Sequence, residues 1–127
     1  RIKRDGKRTV LASSGGGEEM GVYKKLTDIE NLVDEEISGD DTEKTKPCPD
    51  IFEAALQRLK EYSHREVIVI GDTPYDAQAA AKVKIEMIGV LCGGFAESDL
   101  RESNVIAIYR DPADLLAQYE RCPIVQR

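Results

Sequence analysis

Long apolar runs are missing from this 127-residue chain, and nothing approaches the roughly 20 residues that a membrane-spanning helix requires. No apolar core follows the basic opening "RIKRDGKR", so a secretory signal is not expected there. Histidine is almost absent: His64 stands alone in "KEYSHRE", between a predicted helix and a predicted strand, and supports neither a histidine triad nor a zinc site. The three cysteines, Cys48, Cys92 and Cys122, are odd in number and show no C-x-x-C spacing. That suits a reducing, cytoplasmic location better than a disulfide framework. Positive charge is also in deficit, with a net charge of -6, which argues weakly against nucleic acid as a partner. Internal repeats and low-complexity stretches are lacking. The "GGG" at 15–17 is not followed by G-K-[ST] and does not form G-x-G-x-x-G, so neither nucleotide-binding loop is present.

What remains is a composition of 41% hydrophobic and 33% charged residues, that of an ordinary globular protein. The length fits one domain with a core of its own. "KRTVLASS" predicts a strand ending in a turn at Ser13–Ser14. "GGGEEMGVYKKLTDI" predicts a helix with Glu18 and Glu19 in its first turn, where its dipole favours acids. Met20, Tyr23 and Leu26 recur at three-residue spacing and are expected to form its core stripe. "LVDEEISGDD" predicts a short edge strand leading into an acidic loop. Pro47 and Pro49 hold off the next helix until Asp50. Beyond it Phe52, Ala55, Leu56 and Leu59 trace an amphipathic face. "VIVI" at 67–70 has the continuous apolar character of a strand covered on both faces. "TPYDAQAAAKVK" is expected to be a helix capped by Thr73 with Pro74 in its first turn. "EMIGVLCGG" and "NVIAIY" predict strands, and "DPADLLAQYE" a last helix capped by Asp111. The alternation of strands and helices predicts an α/β fold: an open, mostly parallel, Rossmann-like sheet with helices on both faces.

Ligands of such sheets gather at the carboxyl ends of the strands. Three groups of polar residues follow predicted strands: Ser13, Ser14 and Gly15–Gly17 after the first, Lys46 after the second, Asp72 and Asp76 after the third. All three are expected to face one crevice. A hydroxyl and glycine amides at a helix start can hold an anionic oxygen. A lysine adds a point charge for the same anion. Two carboxylates can hold a hard cation such as Mg²⁺. Together they describe a site for a phosphoryl group. Taken singly, each has a plainer reading as well: a cap and turn for the serines, a solvated lysine, and a cap and a dipole-suited acid for the two aspartates.

In this order and spacing, "VLASS", "KTKPCPDIFEAAL" and "VIVIGDTPYDAQAAA" resemble the second, third and fourth motifs of the haloacid dehalogenase superfamily. The likeness is closest to the branch of phosphoglycolate phosphatase and beta-phosphoglucomutase, and it runs from about residue 8 to residue 118. The resemblance implies that Ser13 hydrogen-bonds the transferring phosphoryl group, with Ser14 and the Gly15–Gly17 amides nearby. It implies that Lys46 neutralises that group, that Asp72 binds Mg²⁺, and that Asp76 ligates the ion or orients its waters. It further implies an aspartyl-phosphate intermediate and a small phosphorylated metabolite as partner, while charge and the lack of long apolar runs leave neither nucleic acid nor membrane expected. The family's first motif, D-x-D-G-[TS], is nowhere in these 127 residues. Residues 1–127 are therefore expected to be a single partial core domain that lacks the nucleophile, the first central strand and the cap, and to be inactive and marginally stable alone. A non-catalytic module that binds phosphate and metal is the alternative. A signalling receiver domain is disfavoured because its acidic pair precedes its lysine. A dehalogenase is disfavoured because it does not need the "GDTPYD" carboxylates.

Overall fold

The computed structural model describes residues 1–41 and 50–126. The chain falls into two compact units, Arg1–Lys60 and Glu61–Arg127. The strands and helices alternate as the sequence predicts, and among the described residues every strand pairing is parallel.

In the first unit β1 (Val10–Ala12) and β2 (Glu35–Ile37) form a two-stranded sheet, with Val10 opposite Glu35 and Ala12 opposite Ile37. The helix α1 (Gly17–Thr27) connects them, and α2 (Asp50–Arg58) packs on both strands. Of the predicted α2 stripe Phe52, Ala55 and Leu59 are buried, joined by Ile51, while Leu56 is only half-buried. Asp50, the residue that follows the two prolines in sequence, is helical, and the prolines themselves lie outside the described residues. The expected stripe on α1 is corrected: Met20 is buried, but Tyr23 and Leu26 are 56% and 76% exposed. Two strands about 5 Å apart make a sheet too narrow to cover a three-turn stripe. Instead, the Tyr23 hydroxyl donates to Glu19 on the helix surface. The basic opening is tied down by an ion pair from Lys3 to Asp34, whose carboxylate also accepts the Thr9 amide at 2.8 Å. The Lys3 ammonium, with the Thr9 amide, holds the Asp34 carboxyl down at about 2.

In the second unit β3 (Ile68–Gly71), β4 (Glu86–Val90) and β5 (Ala107–Tyr109) form a sheet in that order. The strand covered on both faces is β4, whose Met87, Ile88 and Val90 are buried. The apolar run at 67–70 was expected to be that strand, but β3 stands at the sheet's edge and Ile70 is 42% exposed. The composition of a strand reports its hydrophobicity, whereas burial depends on how many neighbours flank it. The helix α3 (Pro74–Lys82) lies on β3 and β4 through small residues, Ala77, Ala79 and Ala80, all buried. A methyl group at Gly89 in β4 would lie 3.2 Å from Leu100 of α4 (Glu97–Glu102). The last helix, α5 (Pro112–Ala117), begins where Asp111 accepts the Asp114 amide at 2.8 Å, the cap that the sequence predicts.

Two measurements check this packing. Ile88→Ala, at a position 0% exposed, should cost about 2–5 kcal/mol in chemical denaturation. Leu26→Ala should stay within about 0.5 kcal/mol, and a loss as large as that of Ile88→Ala would mean that the α1 stripe is core after all. The Asp34 carboxyl should titrate by NMR near 2 and move toward its ordinary 3.8 in Lys3→Ala. Because the folded value lies below the unfolded one, the stabilisation from this group is complete above about pH 4 and fades as pH falls through about 2.

Candidate functional site

The parallel ladder of the first unit continues one step past β1, with the Ser13 amide donating to the Ile37 carbonyl at 3.0 Å. The chain then turns. The Ser13 hydroxyl oxygen accepts the Gly15 amide at 3.1 Å, which leaves the hydroxyl proton available to donate elsewhere. The turn is pinned from the far side by the segment after β2. The Gly39 amide donates to the Gly15 carbonyl at 2.8 Å, and a methyl group at Gly39 would lie 2.2 Å from the Ser14 carbonyl oxygen. Only glycine fits there. The Asp40 carboxylate accepts the Gly17 amide at 2.9 Å and so caps α1, whose N-cap residue, Gly16, has no side chain to do so. Of the amides expected to serve an anion, those of Gly15 and Gly17 are thus engaged within the chain. Those of Ser14 and Gly16 have no acceptor among the described residues. Asp40 was not singled out from the sequence; its signal is the acidic "GDD" directly after a strand end, the edge to which the serines also belong. Lys46 lies outside the described residues.

In the second unit β3 ends at Gly71 and hands the chain to a tight loop. Thr73, extended, caps α3: its hydroxyl oxygen accepts the Asp76 amide at 3.1 Å. The Asp76 carboxylate reaches back to accept the Thr73 and Asp72 amides at 3.1 and 3.2 Å. This reciprocal box satisfies amides that a helix start would otherwise leave open. Asp76 is only 4% exposed, and a methyl group at Gly71 would lie 2.8 Å from its Oδ2. The sequence placed both aspartates on one loop, and the structure gives them different surroundings. The Oδ2 atom of Asp76 is committed to the backbone, while the half-buried Asp72 carboxylate takes no part in that network. Beside them the Tyr75 and Phe95 rings meet edge-on, with centroids 6.0 Å apart. Among the described residues no group of three or more His, Cys, Asp or Glu gathers to hold a metal.

The family of the chain follows from its likeness to known proteins. The family model for haloacid dehalogenase-like hydrolases matches residues 1–90. The chain belongs to that family. A relative bearing the provisional name pyrophosphatase PpaX, from Caldanaerobacter subterraneus subsp. tengcongensis, is 32% identical over 90 residues, 71% of this chain and 40% of the relative. A solved hydrolase from Pseudomonas syringae is 29% identical, with a TM-score of 0.84 over 94% of this chain and 56% of its own. A provisionally named beta-phosphoglucomutase from Thermotoga maritima is 25% identical, again with a TM-score of 0.84, over 95% of this chain and 56% of its own. The chain thus spans about half the length of these family members. In this haloacid dehalogenase-like chain no helix of the described residues is long and apolar enough to cross a membrane.

The unequal surroundings of the two aspartates have a measurable consequence. Asp76→Ala removes the acceptor of two amides and should cost about 2 kcal/mol or more in chemical denaturation. Asp72→Ala should stay within about 0.5 kcal/mol. Equal losses would contradict the division.

Proposed function

We propose that the chain contributes phosphate-binding and metal-binding residues to a Mg²⁺-dependent phosphatase-type hydrolase of a small organic phosphate. The observation that carries this reading is the Asp72 carboxylate, held on a fixed loop but outside the hydrogen bonds that fix it, in a chain of this family. Its relatives' names, pyrophosphatase and beta-phosphoglucomutase, both refer to phosphoryl compounds.

The donors suit Mg²⁺, which takes hard oxygen ligands, keeps several waters and needs few protein groups. Asp72 is the direct ligand in this reading, while Asp76 shapes the loop and orients what surrounds it. When bound, the ion would neutralise charge on the phosphoryl oxygens. Ser13 donates its hydroxyl proton to a phosphoryl oxygen, aided by the turn of Ser14 and Gly15, and Lys46 supplies a positive charge. The aspartyl-phosphate intermediate of the reading needs a nucleophile from D-x-D-G-[TS], which these 127 residues do not contain. They bind and orient; they do not attack. We accordingly read residues 1–127 as part of the core of such a hydrolase. Cys92 and Cys122 are free thiols, which suits a cytoplasmic location. The second reading, a module that binds phosphate and metal without turnover, uses the same residues.

Purified residues 1–127 test both. Mg²⁺ should raise the melting temperature of the wild-type chain and not that of Asp72→Asn, and p-nitrophenyl phosphate should remain intact. Turnover that Asp72→Asn abolishes would place a nucleophile within the chain. No response to Mg²⁺ would remove the metal from the reading.

A further inference from the structure

The turn that follows β4 meets the carboxylate loop, and the contact falls on a glycine. Gly93 ends a 3₁₀ turn, Leu91–Gly93, that follows the strand paired with β3. A methyl group built on Gly93 would lie 2.3 Å from Oδ2 of Asp72 and 2.6 Å from both its Cβ and its Cγ. Its three nearest neighbours are therefore all atoms of one side chain. A rotation about χ1 would carry Oδ2 away but could not move Cβ, which is fixed to the backbone. The positive-φ glycines are Gly6 and Gly94, so backbone conformation does not explain a glycine at 93. The neighbouring Gly94 is the converse case: its φ is +87°, and a methyl group there would meet nothing within 4 Å. The same segment touches the carboxylate loop a second time through the edge-on pair of Phe95 and Tyr75.

We infer that Gly93 is a positioning residue for Asp72: the turn after β4 forms a wall that fixes where the Asp72 oxygens sit, and any side chain on the wall displaces them. This rests on the reading of Asp72 as a Mg²⁺ ligand for its purpose, though not for the contact itself. Mg²⁺ demands near-ideal octahedral geometry, so a displaced carboxylate loses affinity even when the fold is kept.

The test is a double-mutant cycle on the full 127-residue chain, combining Gly93→Ala with Asp72→Gly, read by chemical denaturation and by titration with MgCl₂. Gly93→Ala should destabilise the chain in the wild-type background and lose most of that effect beside Asp72→Gly, where the side chain it strikes is gone. The Mg²⁺ affinity of Gly93→Ala should fall about tenfold or more, the scale seen when residues that orient a metal ligand are changed. Gly94→Asn, which suits a left-handed backbone and faces open space, should leave that affinity unchanged. Equal cost of Gly93→Ala in both backgrounds overturns the inference, as does unchanged Mg²⁺ affinity. If the wild-type chain binds no Mg²⁺, the metal reading fails, and the cycle alone still decides whether Gly93 positions Asp72. Should Gly93→Ala alone not fold, recovery of a folded chain in the double variant reads the same coupling, and no recovery overturns it.

Discussion

The carboxylate of Asp76 is the constraint on which the carboxylate loop depends. It is almost fully buried, and a buried charge is tolerable only where hydrogen bonds replace lost water. Two consecutive backbone amides supply them, and Thr73 returns a hydroxyl acceptor to the Asp76 amide. With Pro74 fixing the first turn, the path from β3 into α3 has little freedom left. One aspartate is thereby committed to architecture so that the other can be presented. The loop tolerates no side chain at Gly71, where Asp76 folds back against the strand, nor at Gly93, where Asp72 rests.

The serine turn reaches a similar rigidity by another route. Its helix has no capping side chain of its own, so a carboxylate from the next strand end, Asp40, does that work across 23 positions of sequence. This has an electrostatic price for the proposed function. An anion held by the Ser14 and Gly16 amides shares the turn with a like charge, which disfavours it. Compensating positive charge is then a requirement and no refinement, and in the proposed reading Lys46 supplies it.

The features most legible in the sequence are those whose causes are local. Thr73, Pro74 and Asp76 announce the start of α3 because capping chemistry acts within four residues, and Asp111 does the same for α5. The α2 stripe was legible because its period already contains the packed face. Misreadings occurred where the cause lies elsewhere in the chain. The run at 67–70 carries the hydrophobicity of a central strand yet lies at an edge, while β4 takes the centre. Tyr23 and Leu26 keep helical spacing, but spacing cannot reveal that the sheet beside them has two strands. Asp40 escaped notice because its partner is chosen by the β1–β2 register, and Gly93 because a non-local contact, with no left-handed φ, makes it a glycine.

The strand pairings carry one more consequence, for how the chain reaches this structure. β1 pairs with β2, β3 with β4, and β4 with β5, so among the described residues every ladder joins strands adjacent in sequence and each is closed by a single helical crossover. The entropy spent in closing such loops is modest, because it grows only slowly with length and the loops are short. Contacts of short sequence separation form early and speed folding, and parallel sheets are ordinarily slow because they lack them. Among the described residues each ladder can therefore assemble one crossover at a time.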